Sequence, residues 1–391
     1  MIEKCKECLD RSGFGGAILM DLSKAFDTLS HDLLIAKLHA YGFDKKSLLI
    51  IRDYLKNRWQ RTKINTSFSS WVELLQGVPQ GSILGPLLFN IYINDLFYII
   101  KQTQVCNFAD DTTLYACNKA LSEVLLDLEH DSLLAGQWFE ENYMKLNEEK
   151  CHYIISGHKY EHTWVKINNA KSWECDKVKL LGIDIESSLI FNSYVSSICA
   201  KAGRKLTALR RIFEVLNFQQ KRVLMKSFVD SQFNYCPLVW MCCSRYMNNK
   251  INKLQERALR MVYNDQTSTF ESLLEKDKSI TVHHRNIHVL ATEMYKAKNN
   301  LSPPIIRELF PVNSESYPLR NSNYFKLSRP NTVHNGLESV RYLGPKIWSS
   351  LPQALQQAES LLAFKKGIKT WIPVKCPCKL CKTFVPDLGY L

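Results

Sequence analysis

The 391-residue sequence lacks an apolar leader: it opens "MIEKCKECLD", in which nothing reads as a signal peptide. It also lacks a membrane-spanning run, because its longest apolar stretch, Ile83 to Ile100, is broken by Asn90, Asn94 and Asp95. No internal repeat or low-complexity tract is present, which argues against a solenoid or a disordered chain. Its 13 cysteines follow no even framework, and the adjacent pair Cys242 and Cys243 suits a reduced interior better than a disulfide scaffold. The expected compartment is therefore nuclear or cytoplasmic. The tail "CPCKLC" brings Cys376, Cys378 and Cys381 together, but it lacks the second ligand pair of a zinc site, and the nearest histidine, His334, is far away.

Acidic residues are also scarce in one region. Lys and Arg number 51 against 38 Asp and Glu, a formal charge of +13. Between Lys201 and Arg260 only Glu214, Asp230 and Glu256 oppose 13 basic residues, so these sixty positions hold about +10 of the excess. A phosphate backbone is the natural counter-surface, with a solvated helix face as the plain alternative. At 46% apolar and 23% charged residues the composition is that of a globular protein, and the length suits two or three domains.

The chain divides by texture. Residues 16–22, "GAILMDL", read as a buried strand that ends at Asp21, and from Ser23 a helical spacing of Phe26, Leu29, Leu33, Leu34 and Leu38 runs to Gly42. The Gly/Pro-rich turn in "LLQGVPQGSILGP" leads to a helix carrying Leu87, Leu88, Ile91, Tyr92 and Leu96. A hairpin over 105–117 follows, then a helix from about Ala120 to Met144 with one apolar stripe. Strands near Cys151–Ser156 and Val178–Ile185 would complete a small antiparallel sheet with helices on one face, an α+β domain over 1–187. Basic amphipathic helices fill 188–310, and a Pro-punctuated, irregular region covers 311–391.

The hairpin "VCNFADDTTLYAC" sets Asp110 beside Asp111 in a half-buried context. Two such charges ~4 Å apart repel by about 4 kcal/mol at an effective dielectric near 20, so the pair must share a proton, splay into water or hold a cation. Adjacent acids alone usually mark a polar turn. Asp21, at the end of the buried strand, is a third carboxylate that could converge on them, and an all-oxygen set suits hard divalent ions. Two such ions about 4 Å apart serve in-line phosphoryl displacement, in polymerases or in nucleases.

With these residues in place, the chain resembles the reverse transcriptases of non-LTR, LINE-type retrotransposons of the jockey and chicken-repeat type. The segments "MDLSKAFDTLSHDLL", "GVPQGSILGPLLFNIYINDL", "FADDTTLY", "KLNEEKC" and "VKLLGIDI" follow in order over about 170 residues, and "ICAKAGRKLTALRRI" and "YLGPKIWSSLP" look like the thumb and C-terminal region of that family. The resemblance implies a polymerase palm followed by a mostly helical thumb, and RNA-directed DNA synthesis with two Mg²⁺ ions, Mn²⁺ being an alternative.

By the same resemblance, Asp21 and Asp110 would hold both ions, Asp111 would contribute, and Leu22 would offer its carbonyl. Phe26 would lie beneath the incoming sugar and disfavour a 2′-hydroxyl; a core phenylalanine is its plain alternative. Gln80 and Gly81 would line the nascent base pair and template, or simply shape a turn. Asp27 would orient its own local turn rather than bind metal. Lys150 would protonate the leaving pyrophosphate, or be a solvated lysine. Lys201, Arg204, Lys205, Arg210 and Arg211 would follow the phosphates of an RNA–DNA hybrid. The implied partners are an RNA template, a DNA primer and dNTPs, with no membrane; the oligomeric state is left open.

The chain departs from the family pattern at its start. Only twenty residues precede Asp21, where such enzymes carry a fingers region that grips the triphosphate, so the expectation is an N-terminally truncated copy. Positioning accounts for roughly 7–11 kcal/mol of barrier lowering, so weak or absent polymerisation is expected. Two other readings stand beside it: a non-catalytic nucleic-acid-binding remnant of such an enzyme, and a group II intron maturase-like protein.

Overall fold

In a computed structural model the described residues are 1–157, 163–168, 170–313 and 324–372. The cysteine-rich tail lies outside them. The chain forms two compact units, Ser12–Gly182 and Ile183 onward, and the first helix, α1 (Ile2–Asp10), belongs to the second.

In the first unit, β1 (Phe14–Met20) is an almost wholly buried strand, as its uninterrupted apolar run requires. A short strand β2 (Leu22–Ser23) follows, then helices α2 (His31–Ala40) and α3 (Lys45–Leu55). Four short strands come next: β3 (Trp59–Gln60), β4 (Lys63–Ile64), β5 (Ser67–Phe68) and β6 (Val72–Glu73). Helices α4 (Leu84–Ile93) and α5 (Leu96–Ile99) lead to β7 (Gln104–Phe108), β8 (Asp111–Asn118), the long α6 (Leu121–Glu141), β9 (Lys145–Leu146) and β10 (His152–Ser156).

The main sheet has the order β10-β1-β8-β7, with every pair antiparallel. One face presents Ile18, Met20, Leu114, Ala116, Tyr153 and Ile155 to a core shared with Val124, Leu128, Phe139, Phe89 and Tyr92 of the helices. Gly16 permits this packing, since a Cβ there would lie 2.6 Å from Ile155 and 2.8 Å from Val124 and Leu128. The fold is α+β.

Two sequence expectations need correction. The helix expected from Ser23 begins only at His31: Lys24 has a left-handed φ of 52°, Ala25–Asp27 form a single 3₁₀ turn, and the Ser30 side chain caps α2 by accepting from the Leu33 N–H. The strands at 178–185 do not complete the sheet; Lys177–Leu180 and Ile183–Glu186 stand outside its four strands, separated by Leu181 and Gly182 with φ of 47° and 82°.

The second unit is largely helical. Its helix Asn192–Arg210 buries Val195, Ile198, Cys199, Ala202, Leu206 and Leu209, and Arg245–Tyr263 buries Ile251, Ala258, Leu259 and Val262 in the same amphipathic style. A core of Ile287, Leu290, Met294, Phe310, Phe325, Trp348 and Phe364 runs into the Pro-punctuated region, where Val340–Ser350 and Leu361–Ile368 are helical. Helix α1 is held there by Asp10, whose buried carboxylate accepts from the Thr332 N–H at 2.7 Å, the Thr332 hydroxyl at 2.8 Å and the Asn331 N–H at 3.1 Å.

Candidate active site

The register of the central sheet places the acids. Strand β1 pairs with β8 as far as the Met20–Thr112 pair, and Asp21 and Asp111 are the chain neighbours of that pair. Strands β7 and β8 form a tight hairpin in which Phe108 faces Asp111, leaving Ala109 and Asp110 as the turn, with Ala109 at φ 53°. Asp21 is half-buried, Asp110 is half-buried at the hairpin tip, and Asp111 is exposed.

The three charges are felt together. The Asp111 carboxyl is pushed above the ordinary carboxylate range, first because neighbouring atoms displace part of its hydration and then by the negative charges of Asp110 and Asp21. Burial and the Asp21 charge also raise the Cys151 thiol to about 11, against a lowering by the Asp21 backbone. No lysine, arginine or histidine among the described residues forms an ion pair with any of the three acids. Their side chains have not closed on a common point: among the described residues no three His, Cys, Asp or Glu side chains stand in a metal-ligand arrangement. An all-oxygen set with uncompensated repulsion nevertheless fits a hard divalent cation in its chemistry.

Leu22 follows Asp21 in β2 and pairs with Leu146 of β9. The Asn147 N–H donates to the Asp21 carbonyl at 2.8 Å, so the next pair, Leu22 with Leu146, is the non-hydrogen-bonded one and the Leu22 carbonyl turns away from β9. That contact also ties the segment bearing Lys150 to the end of β1. Lys150 closes a 3₁₀ turn, Glu148–Lys150, and is exposed.

Phe26 is half-buried and stacks on Phe89 with ring centroids 4.5 Å apart, so part of its surface is spent on the core. Gln80 is exposed and donates to the Asp27 carboxylate at 2.9 Å, so Asp27 bonds across to a separate loop. Gly81 has φ +80°, and no atom lies within 4 Å of where its Cβ would be. A close approach of backbone to backbone within the protein falls at Gly77, which sequence reasoning did not single out: at φ +84°, its Cβ would lie 2.8 Å from the Asp27 Cα. The spacing of "QGVPQG" marked a turn, but which glycine touches backbone depends on tertiary packing.

In the second unit, Lys201, Arg204, Arg210 and Arg211 are exposed along and just after Asn192–Arg210, and Lys205 is half-buried. The structure thus sets Asp21, Asp110 and Asp111 in one electrostatic neighbourhood and sets Gln80 against Asp27.

The family described as "Reverse transcriptase (RNA-dependent DNA polymerase)" matches residues 6–185. These residues belong to the reverse transcriptase family. Among curated proteins, the chain is 23% identical over 270 residues to the "Probable RNA-directed DNA polymerase from transposon BS" of Drosophila melanogaster, covering 66% of this chain and 30% of that protein. It is 24% identical over 267 residues to the "RNA-directed DNA polymerase from mobile element jockey" of the same organism, covering 66% of this chain and 29% of that protein. The kinship is with the LINE-type, jockey-like reverse transcriptases, and the chain spans about 30% of the length of these relatives. A solved telomerase from Candida albicans overlaps 79% of the chain at 12% identity and a TM-score of 0.35, too loose a superposition to carry an argument. Divalent metal use and nucleic-acid template binding go with the reverse transcriptase family. No helix among the described residues is long and apolar enough to cross a membrane, and Cys106, Cys151, Cys175, Cys199, Cys236 and Cys243 are free thiols.

Proposed function

We propose that residues 6–185 carry the nucleotidyl-transfer site of an RNA-directed DNA polymerase of a non-LTR retrotransposon, with Asp21, Asp110 and Asp111 as its carboxylates. The supporting observations are the β1–β8 register, which ends at the Met20–Thr112 pair beside Asp21 and Asp111, and the charges of Asp110 and Asp21 felt at Asp111. The site would take two Mg²⁺ ions, or Mn²⁺ in their place, with Asp21 and Asp110 as shared ligands, Asp111 contributing and the Leu22 carbonyl completing one of them. Ions bound there would activate the attacking 3′-oxygen and stabilise the leaving oxygen of an in-line displacement.

The chain's own groups then have distinct tasks. Phe26, braced by Phe89, would exclude a 2′-hydroxyl from the incoming nucleotide. Gln80, oriented by Asp27, and the open backbone at Gly81 would line the nascent base pair and template. Lys150 would give a proton to the departing pyrophosphate. The domain plan is a palm over 1–187, a basic helical thumb over 188–310 whose Lys201, Arg204, Lys205, Arg210 and Arg211 contact hybrid phosphates, and a C-terminal region over 311–391. The setting is the nucleus or cytoplasm.

Primer extension on an RNA template with dNTPs and Mg²⁺ tests this reading. Weak extension that disappears in Asp110→Asn is expected; extension indifferent to that substitution would overturn it. Salt-sensitive hybrid binding without any Mg²⁺-dependent synthesis would assign the chain to a non-catalytic descendant.

A further inference from the structure

The strands between α3 and α4 play no part in the site above, yet they carry three exposed aromatic side chains, Trp59, Phe68 and Trp71. β3 pairs with β6 in the register Gln60 to Val72, and β4 pairs with β5 in the register Lys63 to Phe68. Between these pairs, Arg61 and Thr62 on one strand oppose Ser69, Ser70 and Trp71 on the other. The extra residue is a bulge, and it brings Trp71 to the side on which Phe68 lies. Arg61 spans both rings, its Cζ 3.9 Å from the Phe68 centroid and 4.6 Å from that of Trp71, and Lys63 lies 5.3 Å from the Phe68 centroid. Strand alternation puts Trp59 on the side of Arg61 and Lys63. The result is one face that alternates rings and cations: Trp59, Arg61, Lys63, Phe68 and Trp71.

The aromatic members are open to solvent, Trp59 at 55%, Phe68 at 50% and Trp71 at 56%. From Lys56 to Glu73 the segment holds Lys56, Arg58, Arg61 and Lys63 against the single acid Glu73. Neither Arg61 nor Lys63 forms an ion pair among the described residues, so their donors are unspent. A protein partner would have to bury Lys63, whereas interface cores are poor in lysine. A strand of nucleic acid offers what both residue types need, flat bases for the rings and phosphates for the cations.

We propose that this face is a docking platform for single-stranded RNA, with bases stacked on Trp59, Phe68 and Trp71 and phosphates met by Arg61 and Lys63. The proposal rests on the polymerase reading, in which an unpaired template is part of the substrate, and it adds the place where that strand is held.

The test uses the full chain and a fluorescein-labelled oligouridine of about 12 nucleotides, followed by anisotropy at fixed salt. The double variant Trp59→Ala with Trp71→Ala should weaken oligouridine binding by about tenfold or more, while Trp59→Phe keeps most of it. Both variants change exposed side chains and should melt with the wild type, and affinity for a blunt RNA–DNA hybrid should stay within about twofold. Oligouridine affinity unchanged in the folded double variant, or no binding by the wild type, would overturn the proposal. So would a double variant that loses only self-association in sedimentation velocity, which would make the face a protein contact. Asp110→Asn separates the two claims: it should abolish extension and leave oligouridine binding intact.

Discussion

Gly77 is pressed against the backbone of Asp27. A Cβ at position 77 would stand 2.8 Å from both the Cα and the carbonyl oxygen of Asp27, in a backbone with φ +84°. The Gly77 N–H donates to the Leu29 carbonyl at 2.8 Å, and its own carbonyl meets His31 Nε2 at 2.7 Å. The loop carrying Gln80 is thereby fastened to the turn after β1. Gly77→Ala should cost about 2–3 kcal/mol, from both strain and collision. Gly81→Ala, with φ +80° and open space, should cost only about 1 kcal/mol. Urea denaturation of the two variants checks the order, and equal costs would contradict it.

Asp131 of α6 is fully buried and holds the start of the segment leading into β7. Its carboxylate accepts from the Thr103 N–H at 2.6 Å, the Thr103 hydroxyl at 2.9 Å and the Gln102 N–H at 2.9 Å, with His130 Nδ1 at 2.9 Å. Burial alone would raise this acid, but the donors outweigh it and hold the carboxyl below the ordinary range. A depressed folded-state value gives stability that is present above the unfolded carboxylate value and is lost as pH falls through the folded one. Asp131→Asn should therefore destabilise by about 2–3 kcal/mol at neutral pH, with the gap to wild type closing in acid. A constant gap across pH would show that the charge plays no part.

The raised carboxyl of Asp111 has the opposite sign. Loss of hydration, and then its neighbours Asp110 and Asp21, favour its protonated form in the fold, so the metal-free protein should lose stability as pH rises through the Asp111 titration. Removing one repelling charge, as in Asp110→Asn, should raise the melting temperature of metal-free protein by about 1–2 °C at neutral pH. Adding Mg²⁺ should stabilise the wild type more than the variant. A melting temperature lowered by Asp110→Asn without metal would contradict the account.

Basic residues on Asn192–Arg210 should act through counterion release. Replacing Lys201, Arg204 and Lys205 with Gln should weaken hybrid binding without regard to sequence and flatten the slope of log affinity against log salt by up to about 0.9 per lost phosphate contact. An unchanged slope would mean that this face does not meet phosphate.

Much of the first unit can be read from its residues. The apolar run of β1, the alternation around Asp110 and Asp111 and the stripe of α6 each carry their own periodicity, because burial on one or both faces is a local pattern. The start of α2 was misread because Phe26 and Leu29 keep helical spacing while Lys24 adopts a left-handed φ that breaks the helix. The single strand expected at 178–185 is broken by the turn at Leu181 and Gly182 into two short strands, whose pairing no period encodes. Gly77 and Gly81 look alike in sequence, and only packing against Asp27 separates them. Helix α1 belongs with residues more than 300 positions away, through Asp10 and Thr332, a contact that local pattern cannot announce. Pro345 lies inside the helix Val340–Ser350, so proline punctuation overstated the irregularity of that region.

Direct titration of the metal-free protein with Mn²⁺, followed by electron paramagnetic resonance, tests the central claim without requiring catalysis. Wild type should bind Mn²⁺ in competition with Mg²⁺, more weakly as pH falls toward the raised Asp111 range, and Asp21→Asn should bind at least about tenfold more weakly. Equal Mn²⁺ affinity in wild type and Asp21→Asn would show that Asp21 and the hairpin acids do not share an ion.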